Sequence, residues 1–146
     1  MNNITSPRPV GERDILIVDD DPDIVQAMEA GLAGACNGYG KIYSVGDGNS
    51  AISSWDEQRP DVIVLDAILP QRSGFLVLEK IRHSISHDKR RGSWPYIVMI
   101  TGNPGKRHES WAESLGSDDY IFKPFRLERL AESVQKGLDK DYPVQR

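Results

Sequence analysis

Residues 15–22 read Ile-Leu-Ile-Val-Asp-Asp-Asp-Pro, an apolar run that passes directly into three acids and a proline. A short apolar run without polar alternation is typical of a strand that is covered on both faces of a parallel sheet. Asp21 can cap a helix that has Pro22 at its first position. This stretch therefore predicts a buried strand that turns at once into a helix.

The same alternation of strand and helix recurs along the chain. Short β-branched or aromatic runs follow at 41–45, 62–65, 96–100 and 120–122, and segments with helical spacing lie between them. The clearest amphipathic segment carries Leu127, Leu130, Ala131, Val134 and Leu138 on one face. Five strands that alternate with five helices predict an α/β fold with a parallel sheet between two helical layers.

Polar residues follow four of the predicted strands, and in a parallel sheet those strand ends share one edge. The residues are Asp19, Asp20, Asp66, Thr101 and Lys123, and the small Gly102 directly follows Thr101. Carboxylate oxygens suit a hard cation such as Mg²⁺, and a lysine suits a phosphoryl oxygen. Asp66 is the natural nucleophile for an aspartyl phosphate. Each residue alone could instead belong to a helix cap, a strand exit or a turn; the set together favours phosphoryl transfer.

With these residues the sequence resembles a two-component response regulator receiver domain. The matching stretches are 15–21, 62–70 with Gly74, 98–102, 116–120 and 123–125, and the resemblance covers roughly residues 14–138. It implies a doubly wound, flavodoxin-like, five-stranded parallel sheet of order 2-1-3-4-5 with five helices. We expect a receiver domain over residues 14–139, a flexible N-terminal tail over 1–13 and a frayed C-terminal tail over 140–146.

The resemblance also implies a metal-dependent phosphoacceptor. Asp66 would accept a phosphoryl group from the phosphohistidine of a histidine kinase. Mg²⁺, with Mn²⁺ as an alternative, would be held by Asp19, Asp20, Asp66 and the backbone carbonyl of Ile68. The chain would then be no enzyme beyond its own phosphorylation and dephosphorylation.

Four further residues take phosphate-binding or switch roles by the same resemblance. Lys123 would pair with the phosphoryl group, Thr101 would bind it, and Gly102 would leave room for it. Thr101 and Tyr120 would form the switch, with Tyr120 turning inward as Thr101 moves. An aromatic residue at the start of a strand can also simply pack.

The expected partners follow from this interpretation. A histidine kinase or a histidine phosphotransfer protein would act upstream and a protein target downstream, and the last two helices could form a homodimer. A net charge of -4 gives no reason to expect direct binding of nucleic acid.

Residues 1–13 lack a signal-peptide core and no apolar run approaches a membrane span, so we expect a cytoplasmic protein without membrane contact. The lone Cys36 is expected to be a partly buried, neutral thiol.

Other functions compete with the receiver interpretation. A Mg²⁺-dependent phosphatase would also use an aspartyl nucleophile, but the haloacid-dehalogenase-like enzymes have a second acid where this chain has Ile68. A nucleotide or flavin binder needs a glycine-rich turn after the first strand, where this chain is acidic. A receiver fragment of a longer DNA-binding regulator stays open. Since 146 residues leave no room for a second sizeable domain, we favour a stand-alone receiver.

The segment 83–95, between the third helix and the fourth strand, is longer than is usual in the family. The loop 82–93 is rich in basic residues. Residues 80–91 contain five Lys or Arg against one Asp, a local charge of +4. A solvated loop is the simpler interpretation, and a docking surface for an acidic partner, centred on Lys89, Arg90 and Arg91, is the alternative.

His83 and His87 are expected to be surface residues and not zinc ligands. Trp94 and Trp111 are either packing residues or partner anchors.

Overall fold

The computed structural model describes residues 5–85, 92–102 and 106–143. Within these residues, strands and helices alternate as the sequence predicts. The elements are β1 (Arg13–Val18), α1 (Pro22–Ala35), β2 (Tyr39–Val45), α2 (Gly48–Gln58), β3 (Val62–Asp66), α3 (Gly74–Ile85), β4 (Tyr96–Thr101), α4 (Lys106–Ser114), β5 (Asp119–Phe122) and α5 (Leu127–Asp139). The strands pair in parallel in the order β2-β1-β3-β4-β5. The predicted doubly wound α/β fold is confirmed.

The three central strands are buried along their whole length because helices cover both faces of the sheet. Ile15 and Ile17 belong to an apolar cluster with residues of α1 and α5. Leu16 and Val18 belong to a second cluster with residues of α2, α3 and α4. Alternate residues of one strand therefore enter different cores, which explains why the strand sequence shows no polar alternation.

Helix α1 begins as the sequence predicts. The Asp21 side chain accepts the N–H groups of Asp23 and Ile24 at 3.0 and 3.4 Å, and Pro22 occupies the first helical position. Helix α5 buries most of its predicted apolar face. Leu127 differs, because it lies at the start of α5 against Gly31 and keeps 38% of its surface exposed.

Residues that lie outside the expected domain boundaries of 14 and 139 also contact the domain. Strand β1 begins at Arg13, one residue before the boundary expected at Asp14. The Arg13 guanidinium donates to the carbonyls of Gly137, Leu138 and Lys140 at 3.2, 3.2 and 2.7 Å. Tyr142, in the segment expected to fray, packs against the cluster that α2, α3 and α4 form with the sheet.

One residue of the basic segment contradicts the expectation of a solvated charge cluster. Arg82 is only 1% exposed, and its guanidinium forms an ion pair of 2.8 Å with the buried Asp118. It also donates to the carbonyls of Ser93, Pro95 and Gly116. Arg82 therefore anchors the end of α3 to the approaches of β4 and β5. His87, Lys89, Arg90 and Arg91 lie outside the described residues.

Trp94, Trp111 and Cys36 differ in how deeply they are buried. Trp94 packs: it is buried, lies 5.4 Å from the Trp55 ring, and donates to Asp61 at 3.0 Å. Trp111 stacks on Phe75 at 4.4 Å but remains 44% exposed. Cys36 is buried, and burial raises the pKa of its thiol, which keeps it neutral. His83 is exposed, as expected.

No helix in the described part of the chain combines the length and the apolar character that a bilayer crossing requires.

Candidate functional site

The carboxyl edge of the sheet brings together four of the residues that the sequence singled out. Asp19 directly follows β1, Asp66 ends β3, and these two strands are neighbours. Carboxylate oxygens of Asp19, Asp20 and Asp66 lie within 4.8 Å of one another. Lys123 follows β5 and reaches across the edge, with its Nζ 3.2 Å from Asp66 Oδ2 and 3.3 Å from Asp19 Oδ2.

Asp66 is held at both carboxylate oxygens. Its Oδ1 accepts the N–H of Ile68 at 3.0 Å, while its Oδ2 faces Lys123. Burial raises the pKa of Asp66, and the Asp19 carboxylate raises it further, whereas the Ile68 N–H and the Lys123 ammonium oppose the rise. The strand end thus fixes the orientation of the Asp66 carboxylate, and the pKa of this carboxylate depends on nearby cations.

Lys123 is the cation that the described structure supplies to the two carboxylates. Burial by itself lowers the pKa of the Lys123 ammonium, but Asp66 and Asp19 outweigh it and the pKa is raised. The lysine is therefore charged at neutral pH. Its ammonium lies where it could bind a phosphoryl oxygen placed on Asp66.

The donor set fits a divalent cation. With all four side chains in their ionised forms, Asp19, Asp20, Asp66 and Lys123 have a formal net charge of -2, which a single dication balances. Ligation by oxygen suits Mg²⁺, which binds one or two carboxylates and keeps some of its waters. Asp20 is exposed while Asp19 and Asp66 are buried, which leaves the acidic cluster open to solvent on one side.

Loop 68–73, which we call the β3–α3 loop, borders this cluster. Ile68 begins the loop with its side chain exposed and its N–H on Asp66. Gly74 follows the loop as the first residue of α3, and its N–H donates to the carbonyl of Ala67 at 3.0 Å. A Cβ on Gly74 would overlap the carbonyl oxygen of Asp66, so only glycine allows α3 to start this close to the strand end.

Thr101 and Tyr120 are neighbours beside the site. Thr101 is fully buried at the end of β4, and its carbonyl accepts the N–H of Lys123 at 2.7 Å. Burial raises the pKa of Tyr120, and the nearby Thr101 hydroxyl lowers it in part. The Tyr120 hydroxyl is buried, and its ring meets Phe122 edge-on at 5.3 Å. The tyrosine side chain thus already points into the molecule.

Gly102 follows Thr101 and is exposed. Among the described residues, nothing lies within 4 Å of a Cβ built on Gly102, so sterics alone do not require a glycine there. Asn103, which the sequence places beside it, lies outside the described residues.

Two residues that touch the β3–α3 loop were not predicted from the sequence. Gly48 and Asn49, in the first turn of α2, bind Pro70, Gln71 and Arg72. These contacts join residues more than twenty positions apart, and no local pattern announces them. A glycine in place of a helix former at the start of α2 is the one signal that could have drawn attention to the position.

The chain is similar in sequence and fold to known receiver domains. The family model of the response regulator receiver domain matches residues 15–135. Among solved structures, the receiver domain of sensor histidine kinase PA1611 from Pseudomonas aeruginosa has 29% sequence identity and a TM-score of 0.72, with 88% of this chain and 99% of that chain covered. That structure holds a magnesium ion coordinated in its active site cleft.

Two further structures have the same fold. The chemotaxis response regulator CheY4 of Vibrio cholerae is 25% identical over 86% of this chain and 98% of its own, with a TM-score of 0.73. The receiver domain of the Francisella response regulator 1452 is 25% identical over 87% of this chain and 97% of its own, with a TM-score of 0.71.

Proposed function

Because the chain belongs to the response regulator receiver domain family, whose members serve two-component systems, we propose that it is a phosphorylation-driven switch with Asp66 as phosphoacceptor. The observation that carries the proposal is the position of Asp66. One oxygen of its carboxylate accepts a hydrogen bond from the Lys123 ammonium, and the carboxylate lies within 4.8 Å of the Asp19 and Asp20 carboxylates.

The transfer step needs positioning and charge neutralisation more than covalent chemistry from the protein. An oxygen of Asp66 forms a bond to the phosphorus atom as the N–P bond of the donor's phosphohistidine breaks. The imidazole nitrogen keeps the electron pair of that bond. Lys123 pairs with a phosphoryl oxygen and stabilises the charge that develops in the transition state.

Mg²⁺, or Mn²⁺ in its place, would neutralise charge on the carboxylates and the phosphoryl oxygens. Asp19, Asp20, Asp66 and the carbonyl of Ile68 are the groups that would hold it. This assignment is supported by the oxygen-only donor set, by the residual charge of -2 and by the magnesium ion in the Pseudomonas receiver structure.

Phosphorylation changes the charge at the strand end, and Thr101 and Tyr120 respond to it. The new group carries about -1.5 to -2 charges in place of one. The Thr101 hydroxyl donates a hydrogen bond to a phosphoryl oxygen, and Gly102 leaves space for that group. Tyr120 shares the space around Thr101, so a shift of Thr101 biases the packing of the tyrosine against α4.

The partners in this proposal are proteins. A histidine kinase or a histidine phosphotransfer protein donates the phosphoryl group in the cytoplasm, and a downstream protein target reads the altered surface. Helices α4 and α5, which flank β5, are the surface through which a homodimer would form. A Mg²⁺-dependent phosphatase is disfavoured, because Ile68 stands where that chemistry needs a second acid.

Intact-protein mass spectrometry tests the proposal. The chain is incubated with Mg²⁺ and acetyl phosphate, and we expect the mass of a single phosphoryl group to be added. The Asp66→Asn protein should gain none. Modification of the Asp66→Asn protein to the same extent would overturn the assignment, and many phosphates released per protein molecule without a stable adduct would favour the phosphatase.

A further inference from the structure

The β3–α3 loop influences two groups of the proposed site at once. It contains Ile68, whose carbonyl is a metal ligand in the proposed function. The Ile68 N–H donates to Asp66 Oδ1 at 3.0 Å, so the backbone of the loop also orients the phosphoacceptor carboxylate. Any displacement of this loop would therefore disturb both groups together.

The first turn of α2 holds this loop through three hydrogen bonds. The Gly48 N–H donates to the carbonyl of Pro70 at 3.2 Å. The Asn49 side chain donates from Nδ2 to Gln71 Oε1 at 2.8 Å, and its Oδ1 accepts from Arg72 Nε at 3.3 Å. Two consecutive residues of α2 thus bind three consecutive residues of the loop.

Gly48 allows the helix to approach the loop this closely. A Cβ at Gly48 would overlap the carbonyl oxygen of Arg72 and would crowd the Arg72 side chain. Gly48 is buried, and its φ is not positive, so the site needs a small residue for space and not for backbone conformation. Alanine is otherwise favoured over glycine within a helix by about 1 kcal/mol.

The loop does not hold its shape by local preference alone. Gln71 has a φ of 70°, in the left-handed region that residues with a side chain adopt at a cost. The hydrogen bond from Asn49 to the Gln71 side chain stabilises the loop at this residue. Contact with α2 is therefore part of what fixes the loop.

We propose that Gly48 and Asn49 are positioning residues, which hold the β3–α3 loop so that Asp66 and the Ile68 carbonyl are preset for a divalent cation. The inference rests on the proposed function, because it takes both groups as metal ligands. Mg²⁺ demands near-ideal octahedral geometry. Residues that orient metal ligands typically change metal affinity by about 10–100-fold when they are replaced.

The test is calorimetric binding of Mg²⁺ to the full chain without any phosphodonor, together with the unfolding midpoint of the metal-free protein. Gly48→Ala should raise the Mg²⁺ dissociation constant by about tenfold or more, because the new Cβ displaces the loop. Asn49→Ala should raise it by about threefold, because two hydrogen bonds are lost. Gly34→Ala is the matched control: it makes the same change in α1, where a Cβ meets nothing among the described residues within 4 Å.

Weaker Mg²⁺ binding by both variants, with Gly34→Ala unchanged, supports the proposal. Variants whose folded fraction binds Mg²⁺ like the wild type, with only a lower unfolding midpoint, overturn it and leave these residues a purely structural role. If Gly48→Ala does not fold, Asn49→Ala decides alone by the same criterion. If the wild-type chain binds Mg²⁺ and is phosphorylated on Asp66, and the variants bind Mg²⁺ equally well, only the positioning role is overturned. A wild-type chain that does neither overturns the proposed function and this inference with it.

Discussion

At the scale of single residues, Asp66 is buried, is held in one orientation, and lies close to both a carboxylate and an ammonium group. The Ile68 N–H and the Lys123 ammonium each engage one of its oxygens, and the Asp19 carboxylate lies beside it. Burial and Asp19 raise its pKa while the two donors oppose the rise. The pKa of the Asp66 carboxyl therefore depends on any cation that enters the site, and this leads to two predictions.

The first prediction concerns pH. Without metal, the Asp66 carboxyl should titrate above the ordinary range of aspartate, because burial penalises its charged form. Saturating Mg²⁺ favours the charged form and should move this titration to lower pH. Because the charged carboxylate is the proposed nucleophile, phosphorylation in the presence of Mg²⁺ should slow only as the pH falls through this lower, metal-bound pKa.

Carbon-13 NMR of the aspartate carboxyl groups, with and without Mg²⁺, measures the titration directly. Asp66→Asn identifies the resonance by its loss. A pKa for Asp66 that Mg²⁺ leaves unchanged would contradict the assignment of this carboxylate to a metal site.

The second prediction concerns Lys123→Met. This change removes the cation that contacts both Asp66 and Asp19 but keeps much of the side-chain length. Transfer from acetyl phosphate should slow by about tenfold or more, since hydrogen bonds to charged groups contribute ~1.5–3 kcal/mol. Lys136→Met, on the exposed side of α5, removes the same charge away from the site and serves as the control. Equal rates for the two variants would show that Lys123 does not act on the phosphoryl group.

At the scale of elements, local patterns predict the strands and caps well and predict contacts between elements poorly. The unbroken apolar run of β1 and the Asp21-Pro22 start of α1 depend on neighbours in sequence, and both are confirmed. The acids of the site were also predictable, because parallel strands place their carboxyl ends at one edge. Arg82 was misjudged, because its partner Asp118 is 36 positions away and only the fold brings the two together.

The third prediction concerns this buried ion pair. Arg82→Met leaves the Asp118 carboxylate without its cation and should destabilise the fold by about 3–5 kcal/mol. Burial already raises the pKa of Asp118 and Arg82 opposes the rise, so the loss of Arg82 raises that pKa further. A carboxyl group with a raised folded-state pKa binds its proton more tightly when folded. The defect should therefore be largest at neutral pH and should diminish as the pH falls through that pKa.

Urea unfolding at several pH values measures this effect. Lys80→Met, on the exposed side of the same helix, is the control and should change stability little. A defect that does not diminish at acidic pH would show that the loss comes from packing or from the lost hydrogen bonds to the carbonyls, and not from the unpaired Asp118.

At the scale of the whole molecule, the carboxyl edge and the amino edge of the sheet have different roles. The carboxyl edge holds the acids, Lys123 and the loop that borders them. At the amino edge, the buried Asp61 accepts hydrogen bonds from Arg8, Asp14 and Trp94. Asp14 lies in β1, Asp61 directly precedes β3 and Trp94 precedes β4, so these bonds join the N-terminal segment to the starts of three strands. The fold therefore separates the proposed site from this structural hydrogen-bond network.

The fourth prediction uses this separation. Arg8 contacts Asp61 and the carbonyls of Gln58 and Arg59, so Arg8→Ala should lower the free energy of unfolding by about 1–3 kcal/mol. The rate of phosphorylation of the folded protein should not change, because Arg8 lies at the edge opposite Asp66. Thermal unfolding and the rate of acetyl phosphate transfer, measured on the same preparation, check both parts. A slower transfer at unchanged stability would contradict the separation of the two edges.

The central claim, that Asp66 carries the phosphoryl group, is tested most directly by chemical mapping of the modified residue. Borohydride reduces an aspartyl phosphate to homoserine, and peptide mass spectrometry then locates the changed residue. We predict homoserine at position 66 only when both Mg²⁺ and the phosphodonor have been present. Homoserine at another aspartate, or none at position 66 in a protein that has gained a phosphoryl group, would contradict the account.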